Sequence, residues 1–466
     1  MTFDENQSGY DVVIVGGGVS GSFIADELSR AGLRCVMLEA GAHLDRETYP
    51  RREIDAHAQL YWGGGIELAR DGRIGFLRPK VVGGGSVVSR AVLERFDDLA
   101  FDAWREVSGV SFCTRPALEP WYDRVAERIS IQAVPEGYRN GNAEIFRQGC
   151  ERNGYRYVPV QRAVRDCRYQ DGNCCIECLM GCRIGSKQST PVTVLPRALE
   201  AGLALVPQFA AERVIAEVDE VAVTGRTASG ARSTFRGRRL VLAAGAIGNA
   251  RLLLNSPLAS SLPALGHHFY VHPQSMVLGR YDEPVGAHFG PLQSYTSDEP
   301  TFRRGGFKLD NVFAPPVALA MQVPGFGAAH QRLMRDITHL AGIEVVVRDT
   351  EPGRIHLDHV EKRLNADDHR RREQGVQAVR NIFASTGVRE VVEGQMVLGQ
   401  HLMGGCVLGT DPAVSVTSPS FQLHGCPNVY AADSSIFPNA PGLNPAFTVM
   451  ALSLMAAERI LEDARA

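Results

Sequence analysis

Residues 10–41, YDVVIVGGGVSGSFIADELSRAGLRCVMLEAG, constrain the fold more than any other part of this 466-residue chain. A short apolar run, Val12 to Val15, enters the turn Gly16-x-Gly18-x-x-Gly21. A helical pattern follows, then a second apolar run, Cys35 to Leu38, closed by Glu39. Each part has a task in holding a dinucleotide. Gly16 permits the tight turn, Gly18 lets the backbone approach a pyrophosphate, and Gly21 lets the helix pack close to the strand. The free N–H groups and positive dipole end of the helix then face the phosphates. Glu39 lies 18 residues beyond Gly21, where a carboxylate can accept hydrogen bonds from both ribose hydroxyls. A lone GxGxxG can arise by chance; here the flanking strand, helix, second strand and acid all agree.

The chain is long enough for two or three domains, or for one large core with insertions. Its hydrophobic content of 44% and charged content of 22% are those of a globular protein, and a net charge of −3 offers no general attraction to nucleic acid or anionic membrane. The polar, acidic start MTFDENQSG lacks the basic stretch and apolar core of a signal peptide. No apolar run approaches the roughly 18 residues of a membrane-spanning helix. The expected location is cytoplasmic.

Glycine and proline punctuate the whole chain, with no internal repeat and no low-complexity linker. Strand-like runs occur at Val214–Val218, Val221–Val223 and Leu240–Ala244. Residues 262–400 differ in texture, with aromatics, prolines and runs such as Ile343–Val347, and read as a sheet-based insertion that caps a site. Apolar residues at helical spacing from Ala446 to Leu461 predict an amphipathic C-terminal helix. The expected class is α/β: a Rossmann-like nucleotide domain, discontinuous over 1–105, 186–261 and 406–466, with a connecting segment at 106–185. An α+β substrate domain at 262–405 is inserted into it.

A second glycine loop, VVGGGSVVSR (Val81 to Arg90), can present consecutive backbone N–H groups to an anion. Two further blocks are LVLAAGAIGNARLLLNS (Leu240 to Ser256) and a C-terminal region containing HLMGGCVLGTDPAVSV and HGCPNVYAADSSIFPNAPGLNPAFTVMALSLMAAERI. With the first unit, these four blocks in this order resemble the glucose-methanol-choline (GMC) flavin oxidoreductases over nearly the whole chain. The resemblance implies FAD extended across the nucleotide domain. The cofactor-contacting positions are then Gly16, Gly18, Gly21, Glu39, Gly84, Gly85, Ser86, Val214, Ala244, Asp433 and Asn444. Some relatives attach the flavin through a histidine just after the second glycine loop. Residues 86–90 here are Ser, Val, Val, Ser and Arg, so the FAD is expected to be non-covalent.

Oxidation of an alcohol by flavin requires loss of the hydroxyl proton and departure of hydride from carbon. A neutral histidine, with a reference pKa near 6.5, suits the first task. His401 in QHLMGG resembles the family's catalytic histidine, and Asn444 in GLNPAF stands at the partner position. Asn444 can donate a hydrogen bond to a developing alkoxide but cannot take the proton, so the resemblance gives His401 the base role. Asn439 falls outside the G-x-N-P frame, and His424 in the HGCPN turn reads as structural.

Five of the ten cysteines crowd into 167–182: Cys167, Cys174, Cys175, Cys178 and Cys182. The C-x-x-C-x-x-x-C spacing at 175, 178 and 182 is ligand-like. Some sugar-dehydrogenase relatives hold an iron–sulfur cluster in this region, which would place Cys174, Cys175, Cys178 and Cys182 around it. The shortened gap here and the following GSKQST resemble a second group with no established cluster. A disulfide or buried thiols are expected, with iron–sulfur and zinc as open alternatives.

The implied activity is oxidation of a small-molecule alcohol, sugar-like, aminoglycoside-like or another secondary-metabolite hydroxyl, with oxygen or another acceptor reoxidising the flavin. The alternatives are a redox-silent hydroxynitrile lyase on the same fold, a reductase fed by NAD(P)H, and a purely structural or binding protein. Against the reductase stands the lack of a second GxGxxG-type βαβ unit. Against a structural role stand the His/Asn pair and the two phosphate loops.

Overall fold

The nucleotide half begins with β1 (Asn6–Val15), α1 (Val19–Arg30) and β2 (Cys35–Leu38). The computed structural model describes residues 6–169 and 177–465. Val12, Val13 and Ile14 are fully buried, as are Val36 and Met37. A parallel strand is covered on both faces, so it reads as an unbroken apolar run rather than an alternation. β1 runs parallel to β2 on one side and to Arg232–Leu242 on the other. Ala204–Val206 extends the sheet beyond β2, and Cys426–Ala431 joins in parallel beside Leu240–Leu242. Two antiparallel strands, Ala210–Ala216 and Val221–Arg226, and the short Gln422–Leu423 complete eight strands. α1 packs against the helices Val194–Glu200 and Ala446–Arg465.

The expected C-terminal helix is present and runs on to Arg465. Two strands have bounds that differ from those expected. The run read as Val214–Val218 is the strand Ala210–Ala216, whose first residues are held by pairing with Arg226 and Gly225 rather than by their own weak strand preference. The run Leu240–Ala244 is the end of the longer strand Arg232–Leu242.

The second sheet also has eight strands, in the order 67–68, 74–76, 390–399, 273–280, 340–347, 307–312, 293–297 and 157–159. The helices Gly141–Asn153 and Ala366–Ser385 pack on it and close a second hydrophobic core. Its central strand, Leu340–Val347, is buried along its whole length. Cross-strand partners share a face. Pairing aligns Gln274 with Val346 and Lys308, and Met276 with Glu344 and Asp310, so one face of this sheet carries a buried polar row. That face turns toward the nucleotide half. Among the described residues no helix is long and apolar enough to cross a membrane.

Candidate active site

A cavity of about 830 Å³ lies where the two halves meet, large enough for an extended ligand. The glycines of both loops shape one end of it. Gly16 has φ +106°, and a Cβ there would stand 2.2 Å from the carbonyl oxygen of Ala243; a Cβ on Gly21 would stand 2.0 Å from that of Gly16. These two positions close the turn and press α1 onto β1. Gly18 differs: its nearest neighbour beyond the chain is the Cα of Gly84, 3.9 Å away from an added Cβ. The two loops touch there, since the Gly83 N–H donates to the Gly17 carbonyl at 2.7 Å and Gly84, at φ +50°, would carry a Cβ only 2.9 Å from the Gly18 Cα. Gly85 has open space beside it. Ser86 is tied into the second loop, donating to the Gly83 carbonyl at 2.6 Å and accepting from the Thr190 N–H at 3.1 Å.

Glu39 stands at the end of β2 on the cavity lip. Its carboxylate accepts the Gly17 N–H and the Gly41 N–H, both at 2.7 Å, while burial pushes its pKa up. Asp433 and Ala244 also line the cavity. Asp433 accepts from the Gly245 N–H at 2.7 Å, the Asn249 side chain at 2.9 Å and the Ser435 N–H at 2.8 Å, pinning the helix Gly245–Leu254 to the C-terminal segment. Val214 is not among the residues that line the cavity. Its side chain is fully buried and its N–H donates to Ser256 Oγ at 2.8 Å; the cavity wall there is made by Phe209, Ala210, Ala211 and Glu212. Because the strand begins four residues earlier than expected, Val214 lies beyond the stretch that reaches the cavity.

These features fit FAD. Gly18, Gly84 and Gly85 leave backbone without side chains on the cavity wall, open beside Gly85, and the fixed Glu39 carboxylate lines the same cavity. In the described part of the cysteine segment, Arg162 Nη2 lies 3.7 Å from Cys178 Sγ and the Lys187 N–H donates to Cys182 Sγ at 3.4 Å. Cys174 and Cys175 lie outside the described residues.

His401 and Asn444 line the other end of the same cavity. Behind them stand residues that the sequence reading missed. His272 is fully buried; its Nδ1 is 3.0 Å from His401 Nδ1, and its Nε2 accepts the Gly442 N–H at 2.8 Å. Burial holds both imidazoles neutral, pushing His272 well below the usual range and His401 down to about 3, with Lys308 and Arg90 adding to the effect on His401. Lys308, also buried, donates to Asn444 Oδ1 at 2.7 Å and to both Glu94 oxygens at 3.0 and 2.9 Å. Burial alone would push Lys308 down, but the Asp310 and Glu94 carboxylates more than offset it. The Asn444 N–H donates to Glu94 Oε2 at 2.6 Å. Arg90, Gln293 and Gln400 complete the polar wall, and Gln293 Nε2 is buried with no hydrogen-bond partner among the described residues. The available signal was polar residues alternating within strand runs, as in FKLDNV and VHPQS.

The two positions set aside do not line this cavity. His424 Nε2 lies 2.9 Å from Ser415 Oγ, and Asn439 donates to the Ala103 carbonyl at 3.1 Å.

Comparison with known proteins places this arrangement. The N-terminal family model for GMC oxidoreductases matches residues 10–274, and the C-terminal one matches residues 330–453. An uncharacterised GMC-type oxidoreductase of Mycobacterium tuberculosis is 28% identical, over 96% of this chain and 75% of its own length. A long-chain-alcohol oxidase of Arabidopsis thaliana is 24% identical (95% and 67% covered), and the paromamine 6'-oxidase of Streptomyces fradiae is 25% identical (97% and 92% covered). Among solved structures, pyridoxine 4-oxidase from Mesorbium loti superimposes with a TM-score of 0.72 at 17% identity, covering 97% of this chain and 99% of that one. The chain belongs to the GMC oxidoreductase family.

Proposed function

We propose that this protein uses non-covalent FAD to oxidise an alcohol group to a carbonyl on a hydroxyl-rich substrate, in a cytoplasmic setting. One observation carries the reading: a single cavity joins the two glycine loops and Glu39 at one end to His401 and Asn444 at the other. Bound FAD supplies the hydride acceptor. The chain's own residues bind the cofactor's phosphates and ribose, and His401 and Asn444 hold the oxygen of the reacting group.

The choice of a polar substrate rests on the wall around that oxygen. Arg90, Gln293, Gln400, His401 and Asn444 all face the cavity. An alkyl chain laid against them would leave their cavity-facing polar atoms without partners, at about 1–3 kcal/mol for each unsatisfied group. A polyol satisfies them. Paromamine 6'-oxidase is therefore the more informative relative for substrate, and the long-chain-alcohol oxidase the less.

Anaerobic mixing with a panel of sugars, amino-sugars and straight-chain alcohols tests this, with flavin absorbance as readout. Bleaching by polyols but not by long-chain alcohols is expected, and the reverse pattern would overturn the substrate reading. Admitting air afterwards shows whether oxygen reoxidises the flavin. Heat or acid should release free FAD; flavin retained on the denatured chain would contradict non-covalent attachment.

A further inference from the structure

We propose that His356, His359 and Glu361 form a binding site for a divalent transition-metal ion of the zinc type, on a hairpin whose tip lines the cofactor cavity. The three residues themselves stand outside the cavity wall.

The site begins in the local sequence RIHLDHVE, residues 354–361. Arg354 and Ile355 pair with Glu361 and Val360, and the His356 N–H donates to the His359 carbonyl at 2.9 Å, so Leu357 and Asp358 make the turn. Cross-strand partners share a face, and so do residues two apart along a strand. His356, His359 and Glu361 therefore stand on one face of the hairpin. The two imidazoles lie nearly parallel, with centroids 4.3 Å apart and planes 11° from each other. One ligand atom from each of the three residues lies within 4.8 Å of the others. His359 Nε2 is 3.4 Å from Glu361 Oε1, and His356 Nε2 is 3.7 Å from Glu361 Oε2. A tetrahedral zinc ion holds its ligand atoms about 3.3 Å apart, a set these side chains reach by rotation.

Two details call for a cation between these atoms. The Asp358 carboxyl, held below the usual carboxylate range by its contact with the His359 ring, is ionised and can only accept. Its Oδ1 lies 2.8 Å from His359 Nδ1, so that nitrogen carries a proton. In the neutral ring, Nε2 is then left with a lone pair facing the Glu361 carboxylate. Two acceptors facing each other need a positive group. Arg70 Nη1 supplies it, 3.0 Å from Glu361 Oε1 and 3.4 Å from His359 Nε2, on a side chain that is 66% exposed and can swing into solvent. The second detail is His356 Nε2, which is buried with no hydrogen-bond partner among the described residues. A metal ion would take the place of the guanidinium and use this nitrogen as well. Asp358 then serves as the outer carboxylate that orients a metal-binding imidazole.

Two imidazoles and one carboxylate suit Zn²⁺ or Cu²⁺, whereas Mg²⁺ and Ca²⁺ take oxygen ligands. Water completes the fourth position. The ion would tie the two strands across their turn. The His356 carbonyl already accepts from Arg251 Nε at 3.1 Å, and both Arg251 and Leu357 line the cavity, so the ion also steadies that part of its lip.

Calorimetric titration of Zn²⁺ into the FAD-bound enzyme, freed of metal by a chelator, tests the site. Saturation at micromolar Zn²⁺ is expected, with no competition from Mg²⁺; half-saturation only at millimolar Zn²⁺ would overturn it. The cysteines at 167–182 are an alternative zinc site, so the variants decide. His356→Ala and His359→Ala should each weaken binding by more than the roughly 10- to 100-fold that loss of an outer partner costs, and Asp358→Ala by about that amount. Arg70→Ala should bind more tightly than wild type, because the competing cation is gone. An affinity unchanged in both histidine variants, or unchanged in Arg70→Ala, would place the ion elsewhere. Flavin content and circular dichroism establish that each variant is folded. Cu²⁺ reports the ligands directly in the wild-type enzyme: its electron paramagnetic resonance spectrum should show coupling to two imidazoles, falling to one in His359→Ala. A spectrum without imidazole coupling in the flavin-loaded wild type would overturn the site.

Discussion

Within one motif, Gly18 and Gly21 have separable tasks, and substitution should separate them. A side chain on Gly21 meets the Gly16 carbonyl at 2.0 Å, so Gly21→Ala must push α1 off β1 and lower the melting temperature. A side chain on Gly18 meets nothing nearer than 3.9 Å and enters the cavity. Gly18→Leu should therefore fold with a near-normal melting temperature in the absence of FAD yet purify colourless, as judged by the flavin-to-protein absorbance ratio. A yellow Gly18→Leu protein would mean that the pyrophosphate lies elsewhere. Glu344 gives a residue-scale prediction in pH. Burial, partly offset by Arg90, raises its pKa from 4.5 to about 7. The native state then binds the extra proton between these values, so Glu344 makes stability fall as pH rises through that window. A shift of this size corresponds to roughly 3 kcal/mol. Glu344→Gln removes the titration, so its stability relative to wild type should rise between pH 4.5 and 7 and level off above; a flat difference across chemical denaturation curves at those pH values would refute it.

At the scale of elements, the parts legible in the sequence were those whose physics is local. β1, α1 and β2 announce themselves through an apolar run, a glycine turn and a terminal acid, all within 32 residues. The two ends of the cavity were legible for the same reason, since Gly84, Gly85, His401, Asp433 and Asn444 sit in local motifs and line it. The polar face of the second sheet was not legible. Alternation in Phe307–Val312 says that its two faces differ, but it cannot say that Lys308 and Asp310 turn toward a buried polar layer behind Asn444 rather than water. Nor does any local signal join Lys308 to Glu94, 214 residues away, or His272 to His401. Lys187 is a similar case. Its buried ammonium donates to the carbonyls of Val87, Ser89 and Cys178, tying the second glycine loop to the cysteine segment. Lys187→Met would leave those carbonyls without a donor, at a cost of about 2–5 kcal/mol in stability. Faster FAD loss during dilution should accompany the lower melting temperature; a loss of stability with unchanged FAD dissociation would make the tie purely structural.

For the whole molecule, the cavity belongs to neither half alone. The glycine loops and Glu39 come from around the first sheet; Gln293 and Gln400 line it from the second, with His272 and Lys308 behind His401 and Asn444; the C-terminal segment carries Asn444. A ligand spanning this space bridges both cores, so its binding energy should appear as stability of the whole chain. A ligand that binds only the native state adds RT ln(1 + [L]/Kd), about 2.7 kcal/mol at a hundredfold excess over Kd. Stripping FAD at acid pH and returning the protein to neutral pH should lower the melting temperature, and adding FAD back should raise it with concentration. AMP, which can occupy only the Glu39 end, should recover part of that rise and leave the second core as loose as in the stripped protein. Amide exchange in the strand Phe307–Val312 separates the outcomes. Protection restored by FAD and not by AMP is expected if the cofactor couples the two halves, whereas equal protection by both ligands would confine the coupling to the nucleotide half.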